Sequence, residues 1–231
     1  MSSVANSNFN GTPVRFDANN PPLALSNYSP GSRINLMATL PVPLWGGVRS
    51  SLSFFYNGQQ GRPYDLRYTS TDANGEMTGG NDLLYIPANA TEVLYTGGVY
   101  ENFVGWLQRF PGATDYSGKI MPRNALRAPW ANQLDLRYAV TSPTPGKTKV
   151  ELTADVLNFL NLLNQNWGWA WWGPFPSSGQ AIGYSIDQAT GKLKYSLTNT
   201  TSSNANQYGN VLTRDDLRSR WQVQFGARFR F

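Results

Sequence analysis

From Arg33 to Leu40 the chain alternates: Ile34, Leu36, Ala38 and Leu40 share one side, Arg33, Asn35, Met37 and Thr39 the other. Side chains of a strand point to opposite faces in turn, so this period of two predicts a strand with unlike faces. The pattern recurs four times. Val48, Ser50, Leu52, Phe54 and Tyr56 oppose Arg49, Ser51, Ser53, Phe55 and Asn57; Leu134, Leu136, Tyr138 and Val140 oppose Gln133, Asp135, Arg137 and Ala139. Val150, Leu152, Ala154 and Val156 oppose Glu151, Thr153, Asp155 and Leu157, and Trp221, Val223, Phe225, Ala227, Phe229 and Phe231 oppose Gln222, Gln224, Gly226, Arg228 and Arg230. Strands are therefore expected near 33–41, 48–57, 131–141, 148–159 and 218–231.

The connections alternate as well. Pro41-Val42-Pro43-Leu44-Trp45-Gly46-Gly47 and Ser142-Pro143-Thr144-Pro145-Gly146-Lys147 are short turn signals, whereas 58–130 and 160–217 are long and irregular. Connections of that length carry structure or function of their own. In the first, segments 64–69 and 82–86 flank Asp72-Ala73-Asn74-Gly75-Glu76, which predicts a hairpin through the Asn-Gly step, and Val99, Phe103, Val104, Leu107 and Phe110 recur at helical spacing. In the second, segment 184–197 predicts a hairpin turning at 188–192, and Trp167-Gly168-Trp169-Ala170-Trp171-Trp172 forms a tryptophan cluster. Residues 1–32, rich in Asn, Ser, Pro and Gly, read as loop.

An antiparallel meander with short turns at one end and long loops at the other has the asymmetry of an outer-membrane β-barrel. Strands of about ten residues tilted near 45° climb roughly 23 Å, close to the apolar band of such barrels. Charged residues Arg49, Asp135, Arg137, Glu151, Asp155, Arg228 and Arg230 all oppose the apolar faces, where a watery lumen would lie. The fold class expected is all-β: an antiparallel meander forming the C-terminal, incomplete part of a transmembrane β-barrel. The whole of 1–231 is read as one partial domain, its long extracellular loops containing small hairpins and a short helix.

Composition narrows the chemistry. The 231 residues contain neither Cys nor His, which removes thiolate and imidazole sites and any Ser-His-Asp triad. The net charge of +5 is spread over a chain with few charged residues, without the basic stripe of a nucleic-acid binder, so no nucleic-acid partner is expected. No cofactor, metal site or enzymatic activity is expected either. Two minority readings remain: Asp135 and Asp155 as a carboxylate pair, and Asp72, Asn74, Glu76 and Asp82 as oxygen ligands for calcium, without the spacing of a known calcium loop.

The ending, aromatic-x-Phe with Trp221, Phe229 and Phe231, resembles the assembly signal of bacterial outer-membrane barrels. Three further stretches resemble the C-terminal barrel of TonB-dependent outer-membrane receptors of the Oar-like group. They are Tyr56-Asn57-Gly58-Gln59-Gln60-Gly61-Arg62-Pro63-Tyr64, Asn81-Asp82-Leu83-Leu84-Tyr85-Ile86-Pro87, and Arg123-Asn124 with Pro129-Trp130-Ala131-Asn132-Gln133-Leu134-Asp135-Leu136-Arg137. Asp155-Val156-Leu157-Asn158-Phe159-Leu160-Asn161, with Asn164 and Trp167-Gly168, resembles the strand end before the last loop in these receptors. The resemblance runs from about Ser26 to Phe231.

It implies a barrel of about 22 strands around a plug, in the outer membrane of a Gram-negative bacterium. The implied partners are outer-membrane lipid, the barrel assembly machinery, the TonB system through missing N-terminal parts, and a small substrate or polymer. Substrate contact is expected at Arg123, Trp130, Asp135, Arg137, Trp167 and Trp169. Five strands cannot close alone, since the smallest such barrels have eight, so the chain is expected to be a piece of a larger receptor, with Met1 a start imposed on a truncated frame. This accommodates the absence of a basic region and apolar run in Met1-Ser2-Ser3-Val4-Ala5-Asn6-Ser7-Asn8. Closure by several copies is the lesser option. The alternative function is a soluble secreted β-sandwich that stacks sugars on Trp167, Trp169, Trp171 and Trp172.

Overall fold

The structure, a computed structural model, describes residues 12–15, 17, 19–29, 31–69, 72–73, 80–143, 149–172, 180–198, 207–208 and 211–231. The chain divides into two compact units. A sheet unit comprises Gly31–Gly61, Pro129–Ala170 and Asp215–Phe231; a loop unit comprises Met1–Pro30, Arg62–Ala128 and Trp171–Arg214.

In the sheet unit the five expected strands are present: β1 (Arg33–Pro43), β2 (Arg49–Gln59), β3 (Ala131–Pro143), β4 (Lys149–Leu157) and β5 (Gln222–Arg230). They lie side by side in chain order, every neighbouring pair antiparallel. All-β antiparallel meander is thus the observed class, as an open sheet. The register sets unlike rows on its two faces. Leu40, Leu52, Tyr138, Ala154 and Phe225 are successive partners on one face, and Thr39, Ser53, Arg137, Asp155 and Gln224 on the other.

Boundaries shift by one to four residues from expectation: β2 continues to Gln59, β3 takes in Ser142 and Pro143 of the expected turn, and three further shifts have a local cause. β1 runs through Pro41 to Pro43 instead of breaking at Pro41. Gln60 N–H donates to Ser32 O at 2.9 Å, so even-numbered residues of β1 bond to β2 and the odd-numbered nitrogens, both prolines included, face the open edge. Proline lacks a donor only where none is used, as edge strands allow. β4 stops at Leu157, because Asn158 enters the left-handed region at φ 51°. β5 starts at Gln222, since Asp216–Ser219 forms a short helix whose preceding residue, Asp215, accepts Arg218 N–H through Oδ1 at 3.1 Å.

The loop unit holds the buried apolar core. Leu66, Leu84, Ile86, Phe103, Trp106, Phe110, Met121, Ile182, Tyr195, Leu197 and Leu212 pack in one cluster. The expected helix is α1 (Tyr100–Leu107), with Phe103, Trp106 and Leu107 buried. Val99 is not on its packed face: it precedes the first turn, and its N–H donates to Asn102 Oδ1 at 2.9 Å. The hairpin at 184–197 is present as Gln180–Ile186 and Leu193–Ser196, turning where Gly191 N–H donates to Asp187 O.

The hairpin over 64–69 and 82–86 is only partly realised. Tyr68 N–H donates to Asp82 O and Leu84 N–H to Leu66 O, but Arg67–Tyr68 also runs parallel to Gln180–Ile186, and Tyr85–Ile86 pairs with Lys119–Ile120. Its expected turn residues Asn74, Gly75 and Glu76 lie outside the described residues, as do Thr144, Pro145, Gly146 and Lys147 of the second short turn and residues 1–8.

Candidate functional site

Two features stand out as candidates: the uncovered apolar face of the sheet, and the polar hubs that fix the chain where the strands end.

On the apolar face, Ile34, Leu36, Leu40, Leu152, Val223, Phe225 and Phe229 are exposed, Phe225 at 80% and Phe229 at 60%. Among the described residues of the sheet unit, Ala170 is the only buried apolar side chain. Burying a large apolar side chain fully gains about 1.5–3 kcal/mol, so leaving seven of them this open in water forfeits on the order of 10 kcal/mol, as much as the whole stability of an ordinary domain. Among the polar members of this face, Ser50 is satisfied within the sheet: its Oγ donates to Val42 O at 2.7 Å. Aromatics gather toward the strand ends. Trp45, 87% exposed, lies in the turn after β1; Phe231 follows β5 and Trp221 precedes it.

Two ion pairs lie on the polar face. Arg137 Nε is 3.6 Å from Asp155 Oδ1, and an Arg230 guanidinium nitrogen is 3.6 Å from Glu151 Oε2. Both arginines are well exposed, so these pairs add little stability. Asp135 instead anchors the backbone, its Oδ1 accepting Asn158 N–H at 2.8 Å. Asp135 and Asp155 are thus engaged with separate partners.

Asn158 is the hub of the sheet's loop side. Its Nδ2 donates to Gly168 O and Ser219 O, each at 3.0 Å, tying the end of β4 to the chain entering β5. Gly168 is at φ +68°, and a Cβ there would sit 2.0 Å from Asn158 Oδ1. Nearby, Gln133 Nε2 donates to Arg218 O at 2.6 Å. Trp130 crowds Gly58, where an added Cβ would be 2.9 Å from its Nε1, and Tyr56 Oη donates to Asn132 Oδ1 at 2.6 Å.

The residues expected to touch substrate do not form one group. Trp130, Asp135, Arg137, Trp167 and Trp169 belong to the sheet unit and Arg123 to the loop unit. Asp135 is a backbone anchor and Arg137 an ion-pair partner. Trp169 Nε1 donates to Gln165 O at 2.7 Å, while Trp167 is exposed. The unit boundary falls inside the tryptophan run, since Trp171–Trp172 pairs with Leu212–Arg214 in the loop unit; Gly173 lies outside the described residues.

In the loop unit a buried carboxylate organises the polar interior. Asp65 Oδ1 accepts Arg67 Nε at 2.6 Å with both side chains buried, and Asp65 Oδ2 accepts Asn124 N–H at 3.2 Å. Asn124, at φ 56°, reaches on through Nδ2 to Leu25 O and Asn27 Oδ1, both at 2.6 Å. The same unit contains a tyrosine cluster: Tyr68 Oη and Tyr195 Oη are 2.8 Å apart, and Tyr195 Oη also lies 2.9 Å from Tyr85 O. Burial raises the Tyr68 and Tyr195 hydroxyls above their ordinary pKa. Tyr85 is pushed up to about 12, first by burial and then by its hydrogen bond to Glu92, so these phenols stay protonated donors well past neutral pH.

Asp65, Asn158, Tyr195 and Gly168 gave no signal as a group in the alternation pattern. Only the receptor-like motif stretches include Asn124, Asn158 and Gly168. Of the four calcium-loop oxygens, Asn74 and Glu76 lie outside the described residues, and among the described residues no cluster of three carboxylates could hold a metal ion. No family model, curated protein or solved structure matches this chain.

Proposed function

We propose that the chain is a wall segment of an outer-membrane β-barrel, of the kind found in TonB-dependent receptors, with its apolar face toward lipid and its charged face toward a watery lumen. The observation that carries this reading is a sequential antiparallel sheet whose apolar face, among the described residues, has no core over it within its unit. Its short turns fall at one end, and both long connections leave from the other. A soluble sandwich needs a second sheet on that face; lipid makes one unnecessary. Function is then binding and passage, without covalent chemistry. Lipid, the assembly machinery and the TonB system are the partners, and the outer membrane is the location.

Strand direction bears on what completes the wall. β1 and β5 are four antiparallel steps apart and so point the same way. Copies arranged head to tail around a barrel axis would set β5 of one beside β1 of the next in parallel, whereas bacterial barrels of this class are antiparallel throughout. Ring closure by copies is therefore disfavoured, and the complement is an odd number of strands from other sequence.

Purified alone, the chain is expected to need detergent to remain dispersed. A monodisperse, detergent-free monomer in sedimentation would contradict the barrel reading and favour the sugar-binding sandwich.

A further inference from the structure

The polar face of the sheet is unevenly charged. In the half that adjoins the short turns, residues 41–51, 139–153 and 224–230 contain five basic residues, Arg49, Lys147, Lys149, Arg228 and Arg230, and one acidic residue, Glu151. Lys147 lies outside the described residues; the register places the others together on one face. Arg49, Thr141, Glu151 and Arg228 are successive partners in one row from β2 to β5, and Lys149 and Arg230 are partners in the next. Glu151 faces Arg230. The other carboxylates of the sheet unit are placed elsewhere: Asp155 faces Arg137, Asp135 accepts Asn158 N–H, and Asp215 and Asp216 precede β5. Arg49, Lys149 and Arg228 are exposed and, among the described residues, have neither an ion pair nor a side-chain hydrogen bond.

Three uncompensated cations on one exposed patch favour an anionic occupant. Their spacing selects its form. With strands about 4.8 Å apart and a rise of about 3.4 Å per residue, the Cα positions of Arg49, Lys149 and Arg228 lie roughly 8–14 Å from one another. A single phosphate or carboxylate is too small to meet all three, whereas an extended polypeptide presents alternate side chains about every 7 Å along one edge. Ser51, Ala139, Thr153 and Gly226 form the adjoining row of the same face. These small residues let a backbone lie close, and none is an aromatic ring on which a nucleic-acid base would stack. We propose that the turn half of the polar face binds an acidic polypeptide segment in extended form, its carboxylates at Arg228, Lys149 and Arg49. The patch belongs to the sheet itself and is the same whether this face borders a lumen or bulk water.

The test is fluorescence anisotropy of a labelled peptide of alternating glutamate and threonine, titrated with the full chain in a non-ionic detergent. Saturable binding is expected, roughly tenfold or more tighter than to the matching glutamine–threonine peptide, and weakened by added salt. Arg228→Gln and Arg49→Gln should each weaken it about two- to fivefold, the scale of an exposed ion pair. Arg33→Gln, at the other end of the same face and bonded to Asn57 Oδ1, should leave it unchanged. No saturable binding, equal binding of the uncharged peptide, or an equal effect of Arg33→Gln would each overturn the proposal. Tighter binding of an oligothymidylate of equal charge would also overturn it and assign the patch to a phosphate polymer. The two peptides compared on the unaltered chain decide the matter even if a variant misfolds. Binding of the acidic peptide by a chain that proves soluble without detergent would overturn the barrel reading and leave this assignment standing.

Discussion

Gly168→Ala is expected to unravel the loop side of the sheet unit, at a cost of about 4 kcal/mol or more. Two effects add. At φ +68° an L side chain is strained by about 1–3 kcal/mol, and the new Cβ would lie 2.0 Å from Asn158 Oδ1. The Asn158 side chain has to swing away, giving up its bonds to Gly168 O and Ser219 O and exposing a buried amide to unsatisfied surroundings. Gly46→Ala is the control: its φ is +71°, but nothing lies within 4 Å of the added Cβ, so only the backbone strain applies. Denaturant titration of both variants separates the terms. Equal losses would show that the Asn158 contact contributes nothing. In an Asn158→Ala background the Gly168→Ala penalty should shrink toward the Gly46→Ala value.

Asp65→Asn should cost the loop unit about 3–5 kcal/mol, because it removes the buried carboxylate facing the Arg67 guanidinium. The amide keeps the shape, so the loss reports charge and hydrogen bonding rather than a cavity. It also weakens the acceptor for Asn124 N–H, loosening the left-handed residue that holds Leu25 and Asn27. Hydrogen exchange should show lost protection over Leu84, Ile86 and Tyr100–Leu107, with β2, β3 and β4 unaffected. A change under about 1 kcal/mol would mean that the pair is dispensable. Loss of protection in β2, β3 and β4 as well would mean that the two units unfold as one.

The five strands were legible because each presents one apolar and one polar face, and a period of two needs no tertiary information. The edges of β1 and β5 were less so. Whether Pro41 ends a strand depends on which way its nitrogen faces, and that follows from the register with Asn57 and its neighbours rather than from β1 itself. The core of the loop unit was largely hidden: Leu66, Met121, Ile182 and Leu212 meet from four stretches far apart in the chain, and Leu66 and Met121 lie outside any strand while Leu212 opens one of three residues, too short to show periodicity. Phe103 and Leu107 were visible through helical spacing, whereas the parallel pairing of Arg67–Tyr68 with Gln180–Ile186 had no local trace. For the site, residue type misled. Asp135, Arg137 and Trp169 look like binding groups along the linear chain, but one holds a backbone N–H, one faces a carboxylate, and one bonds a carbonyl.

The most direct test of the lipid-facing sheet uses the absence of native cysteine. Phe225→Cys and Gln224→Cys place one fluorophore on either face of β5, at adjacent positions in a chain reconstituted into bilayers. Lipids brominated along their acyl chains should quench the label at 225 strongly and the label at 224 weakly, while an aqueous quencher gives the reverse order. Equal quenching at both positions, or stronger lipid quenching at 224, would contradict the assignment of the apolar face to lipid.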